Sequence, residues 1–123
     1  MFKNGPIPVF MHGLIEYFAG VLFLAAPFLL DWDKPSATVV SMVVGAVILV
    51  VAATSDLPTA ITKTIPEPVH VIADIALATL LLAAPFMFGF NDKTTPTVFF
   101  LAAGAAHFAL TFGTRFREAE KKG

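Results

Sequence analysis

Two stretches of this chain carry no charge at all, residues 35–55 and residues 94–114, and each is 21 residues long. A helix needs about 20 mostly apolar residues to cross a bilayer, so both stretches are long enough to span. Two further apolar stretches, Pro8–Leu30 and Pro68–Phe90, are each interrupted by one acid, Glu16 and Asp74. The reading is therefore four transmembrane helices joined by short polar turns. Within lipid, a segment of this length satisfies its backbone only as a helix. The composition agrees: 57% of residues are hydrophobic, 14% are charged, and the mean hydropathy is +0.81. Soluble domains hold about 25% charged residues.

The same numbers exclude several classes. A polar, charge-rich disordered chain is excluded. With no cysteine, disulfide scaffolds and thiolate metal sites are excluded as well. A net charge of −1 gives no electrostatic footprint for nucleic acid. There is no Gly-rich phosphate loop, His-Glu-x2-His helix or nucleophile motif, and the chain is read as a non-enzyme.

Lys and Arg set the expected orientation. With four spans, both termini and the central connector share one side, which holds Lys3, Lys63, Arg115, Arg117, Lys121 and Lys122 against Lys34 and Lys93 on the other. The positive-inside rule then places both termini in the cytoplasm, in a multi-pass protein of the inner (cytoplasmic) membrane. The first span is not expected to be a cleaved signal peptide, because Glu16 interrupts it and Pro27 follows its only Ala-Ala step. The tail RFREAEKKG reads as a solvated anchor at headgroup level.

The chain also matches itself. At a shift of 58, Ile7-Pro8 falls on Ile65-Pro66, His12 on His70, Glu16 on Asp74, Ala25-Ala26-Pro27-Phe28 on Ala83-Ala84-Pro85-Phe86, and Trp32 on Phe90. At a shift of 59, Asp33-Lys34 falls on Asp92-Lys93 and Gly45-Ala46 on Gly104-Ala105. One membrane domain, 1–123, is thus expected to hold repeat one (7–54), a cytoplasmic connector (55–64), repeat two (65–114) and a cytoplasmic tail (115–123). Each unit has two spans, so the units run parallel and are related by a pseudo-two-fold axis along the membrane normal. In this respect the sequence resembles the SPW-repeat family of small bacterial integral membrane proteins, built from a two-helix unit with a Ser-Pro-Trp motif at the end of its first helix. The motif positions here read Ala26-Pro27-Phe28 and Ala84-Pro85-Phe86. The resemblance implies a fold, covers roughly residues 8–114 and brings no established activity.

Three features are candidates for function. Pro27 and Pro85 lie near the outer ends of their helices and are expected to kink or end them. Phe28, Trp32, Phe86, Phe88 and Phe90 then fall at headgroup depth, where aromatic rings anchor; Pro27, Phe28, Trp32, Pro85 and Phe86 form this outer-interface motif. Small residues mark close helix contacts at Ser41-x3-Gly45 and from Ala102 to Ala106. The third feature is a polar intramembrane cluster of His12, Glu16, His70, Asp74, His107 and Arg115. His12/Glu16 and His70/Asp74 are i, i+4 pairs on one helix face, and His107, Thr111 and Arg115 stripe the fourth helix. The position matching His107 is Ile48, so only the fourth helix breaks the symmetry.

This cluster has three readings. It forms a self-satisfied hydrogen-bonded group, with Arg115 as counter-charge; or His12 and His70 face each other across the axis and hold a haem iron or a non-haem metal; or the acids and histidines relay protons. Two functions follow. The first is an accessory or structural subunit that packs against a larger membrane complex or a second copy, with lipid around it. The alternative is a haem- or metal-binding redox or proton-relay protein using the two His–acid pairs.

Overall fold

Proline and a left-handed residue set the helix boundaries in each repeat. In a computed structural model, which describes residues 5–116, helix α1 spans Val9–Leu29, α2 Pro35–Thr54, α3 Glu67–Met87 and α4 Thr94–Gly113. Pro8 and Pro66 stand at the N-caps of α1 and α3 in extended backbone, and Pro35 opens α2, where its missing N–H costs nothing. At 1.5 Å per residue, 20 or 21 residues make about 30 Å, the thickness of a bilayer core. All four helices are long and apolar enough to cross a membrane.

The ends of α1 and α3 are built alike. Asp31 (φ 53°) and Gly89 (φ 72°) occupy matching positions in left-handed backbone. The next amide in each repeat reaches back to a proline carbonyl, Trp32 N to Pro27 O and Phe90 N to Pro85 O, both 2.9 Å. This is a Schellman closure. It explains why Pro27 and Pro85 lie inside the last turn and the helices end two residues beyond them. Pro27 also deprives the Phe23 carbonyl of its helical donor. Ser41 of α2 supplies the replacement, its hydroxyl donating to Phe23 O at 2.6 Å. The matching position in α4 is Phe100, so the two halves resolve this point differently.

The helices pair as two hairpins, α1–α2 and α3–α4, which pack far more extensively within themselves than against each other. In α1–α2, a methyl on Gly45 would lie 2.7 Å from the Gly20 carbonyl and 2.9 Å from the Leu24 amide, so backbone touches backbone. In α3–α4, a methyl on Gly104 would meet the flexible Leu82 side chain at 2.9 Å.

Three sets of reciprocal links join the hairpins and express the pseudo-two-fold axis. At the hairpin-loop end, Lys34 meets Asp92 at 3.1 Å and Lys93 meets Asp33 at 3.4 Å. At the end that carries the termini, two-residue strand β1 (Ile7–Pro8) pairs in parallel with β2 (Thr114–Arg115). The equivalent bridge joins Ser55 to Ile65. The entry of each repeat is thus strapped to the exit of the other. Between the two ends lies an apolar core of Phe23, Val44, Ile48, Leu81, Phe90 and Phe100. Below it lies the third set, the cross-repeat His–acid pairs.

Phe28 and Phe86 point outward, as an aromatic girdle requires, whereas Phe90 is fully buried beneath Phe100 at a ring distance of 5.0 Å. Trp32 is half-buried and packs edge-on against Phe99 at 5.4 Å. Phe90 therefore belongs to the core, because the Schellman turn swings it back under the bundle. The connector is tied in as well: Tyr17 Oη donates to Thr59 O, Lys63 Nζ to Leu57 O, and Leu57 is fully buried. Lys3, Arg117 and the rest of the tail lie outside the described residues.

Gly45→Ala is expected to lower thermal stability in detergent more than Gly104→Ala, since backbone cannot yield where Leu82 can. Lys34, hydrogen-bonded to Asp92, holds its carboxyl below the usual carboxylate range. A lowered folded value adds stability that is full above the unfolded value of about 3.9 and is lost as pH falls through the folded one. Asp92→Asn should therefore cost a little at neutral pH, less at high salt and nothing in strong acid, as read by unfolding midpoints across pH.

Candidate functional site

His12 and His70 are each the fourth residue of a helix, and Glu16 and Asp74 lie one turn further in, about 10 Å from the helix start. Because α1 and α3 enter from the same end, the two i, i+4 pairs arrive at one depth. His107 comes down from α4 to meet them. Relative exposures are 0% for His12 and His70, 2% for Glu16, 3% for Asp74 and 6% for His107. Ionisable groups this dry must be satisfied by one another.

The shortest contacts run across the repeats. His12 Nε2 lies 3.0 Å from Asp74 Oδ2, and His70 Nε2 lies 2.8 Å from Glu16 Oε1. Contacts to the acid on the same helix are slightly longer, 3.1 Å from His12 to Glu16 and 3.2 Å from His70 to Asp74. Each ring nitrogen therefore faces both carboxylates. His107 Nε2 stands 3.4 Å from Asp74 Oδ1 and 3.6 Å from Glu16 Oε2, and makes no hydrogen bond.

The outer nitrogens of the two symmetric histidines are also held. His12 Nδ1 is 2.8 Å from Thr114 Oγ1, and His70 Nδ1 is 2.7 Å from Ser55 Oγ. Both hydroxyls already donate four residues back along their helices, Thr114 to Leu110 O and Ser55 to Val51 O, each at 2.6 Å. A hydroxyl has one proton. Each oxygen must therefore accept from the imidazole, which fixes the proton on Nδ1 and aims Nε2 at the carboxylates. Sequence reasoning missed Ser55 and Thr114. The signal was present: both are hydroxyl residues and they match at a shift of 59.

Five of the six expected cluster residues are thus brought together. Arg115 is not among them; its side chain is exposed and its guanidinium reaches the Gly5 carbonyl at 3.5 Å. The partners of the two acids are histidines, because Thr114, one residue earlier, takes the inward position on β2. Ile48, the counterpart of His107, is buried beside Glu16 and Asp74 and lines a small space of about 50 Å³ there. Towards the termini, the cluster is capped by Phe116, whose ring stands 5.0 Å from that of His12, and by Leu57, its counterpart at a shift of 59. Towards the loop end it meets the aromatic and aliphatic core.

These surroundings bear on the chemistry. Both Nε2 atoms already converge on one pair of carboxylates, which leaves no slot for a porphyrin between the rings. Above the acids lies the core of Phe23, Leu81, Phe90 and Phe100, beside which the buried Ser41 hydroxyl is bound to the Phe23 carbonyl. His12, Glu16, His70 and Asp74 can each offer one ligand atom, and these atoms lie within 4.8 Å of one another.

Asp74→Ala should destabilise the protein by about 3–5 kcal/mol, because it strands imidazoles in a dry site. Thr114→Val and Ser55→Ala should each cost about 1–2 kcal/mol and, by the pseudo-symmetry, similar amounts. Unfolding in detergent measures all three, and wild-type stability in Asp74→Ala would refute the reciprocal pairing.

Neither curated proteins nor solved structures give a match to this chain. The family model described as the SPW repeat domain matches residues 10–114, which takes in all four helices and the five clustered residues, and the chain belongs to the SPW repeat family.

Proposed function

We propose that this protein is a non-enzymatic membrane subunit, one that packs beside a larger membrane protein or a second copy of itself. The carrying observation is an asymmetry between the two halves. On the α1–α4 side, Phe99 and Phe100 pack edge-on against Phe23, at 4.9 and 5.5 Å, and a smaller space of about 160 Å³ is left beside Ala103, His107 and Leu110. Their counterparts in α2 are Val40 and Ser41. An apolar groove of about 580 Å³ is left open on the α2–α3 side, lined by Val39, Val40, Val43, Val44, Leu80 and Phe88 among others. An unfilled apolar groove between two spanning helices is a surface that a neighbouring helix can fill by van der Waals packing within lipid.

The rest of the chain supports this reading. Its titratable chemistry within the spans is folded inward and sealed at both ends, while the outer surface is apolar. The His–acid cluster serves as an internal clasp between the repeats. Location and orientation belong to the same proposal: the protein sits in a bacterial inner membrane, and the excess of Lys and Arg supports both termini and the connector on the cytoplasmic side.

Extraction from the native membrane in mild detergent, followed by mass measurement, tests the assembly. A stoichiometric complex is expected. Val43→Trp, which fills the groove from an outward-facing position, should release the partner without changing the unfolding midpoint. A wild-type protein that elutes as a monomer, or a complex indifferent to Val43→Trp, would overturn the groove as its contact.

A further inference from the structure

We infer that the His12–Glu16–His70–Asp74 cluster is a binding site for one divalent first-row transition-metal ion, with His107 as a fifth donor. The inference deepens the clasp described above and is independent of the groove. It rests on three observations.

The first is the hydrogen-bond ledger of the imidazoles. With Nδ1 committed to donating to Thr114 and Ser55, each Nε2 has only the carboxylates before it. On giving up the Nε2 protons that now face the carboxylates, the two imidazoles and two carboxylates, with ligand atoms within 4.8 Å of one another, offer four donors to one ion. The hydroxyls behind them form the outer shell that commonly orients metal-bound histidines.

The second is spacing. Donor atoms around an ion at about 2.1 Å lie roughly 3.0–3.4 Å from one another. The nitrogen–oxygen distances here are 2.8, 3.0, 3.1 and 3.2 Å for the symmetric pairs. They contract around both carboxylates at once, whereas a single N–H can serve only one of them well.

The third is His107. Its Nε2 is buried and without a hydrogen bond, yet aims at the two acids from 3.4 and 3.6 Å. It faces the two acids as a third imidazole nitrogen. As a ligand to a shared ion it is explained, and so is the loss of symmetry at Ile48, since one ion on the axis needs only one further donor.

Charge balances as well. Two carboxylates and one divalent ion, with neutral imidazoles, sum to zero, which a dry site in lipid demands. Imidazole with carboxylate and no thiolate selects Zn, Fe, Mn, Co or Ni over softer ions. Mg²⁺, which keeps its waters and oxygen ligands, does not suit a closed nitrogen-rich site.

The test uses the full chain, expressed with Zn²⁺ or Co²⁺ in the medium so that it folds around the ion, then purified in detergent without chelator. Elemental analysis should find one ion per chain. The Co²⁺ form should show visible d–d absorption, and the Zn²⁺ form should unfold at a higher temperature than protein treated with chelator, with Mg²⁺ giving no shift. Asp74→Asn, which keeps shape and hydrogen bonding, should lose the ion. Thr114→Val keeps all five donors and should weaken binding by about 10–100-fold. His107→Asn should change the Co²⁺ band positions while leaving one ion bound. Folded wild-type protein that holds neither ion overturns the inference, and so does unchanged stoichiometry and affinity in both Asp74→Asn and Thr114→Val.

Discussion

Lipid offers no solvent to a charge, and the rest of this structure depends on how the chain answers that constraint. Each repeat carries a histidine and an acid on one face of its first helix, and neither repeat can satisfy them alone. The shortest bonds go to the other repeat, so forming the site and joining the two halves are the same event. Little else joins the hairpins: two exposed ion pairs at the loop end, two short straps at the other, and a core of limited width. Exposed pairs contribute little, so the buried cluster, together with that core, is what fixes one repeat against the other.

Much of this was legible in the sequence, because lipid makes the code coarse. Two charge-free runs of spanning length and two more interrupted by a single acid gave four helices, and the shift of 58–59 gave the parallel duplication. It also placed His12, Glu16, His70 and Asp74 at one depth. What stayed hidden depends on rotation and on turns. Period and spacing set His12 and Glu16 on one face, yet only the angle between α1 and α3 makes the cross-repeat contact the shorter one. Phe90 read as an interfacial ring because its inward swing depends on the left-handed backbone at Gly89. Arg115 read as a counter-charge because a continued helical stripe was assumed, whereas the helix stops at Gly113 and strand geometry turns Thr114 inward instead. Ser55 and Thr114 were overlooked for a plainer reason: a hydroxyl at the end of an apolar helix resembles a terminal residue until its partner is seen.

Duplication also explains where the halves differ. Symmetric positions carry the features both repeats need, such as the prolines, the Schellman turns, the back-bonded hydroxyls and the strapped entries. Departures cluster on one flank. Phe99, Phe100 and His107 in α4 stand against Val40, Ser41 and Ile48 in α2, so one side of the bundle is filled and polar inside while the other is lean and open. Ser41 shows the trade: where α4 has the Phe100 ring, α2 has a buried hydroxyl that repairs the carbonyl freed by Pro27.

The straps have a topological consequence. Because the entry to α1 is paired with the exit of α4, and the entry to α3 with the exit of α2, the two repeats are joined head to tail into a ring. The β1–β2 pairing and the Ser55–Ile65 bridge beside the connector are thus the same contact made twice. The packing would be the same in a chain that began at the connector, or in two separate single-repeat chains.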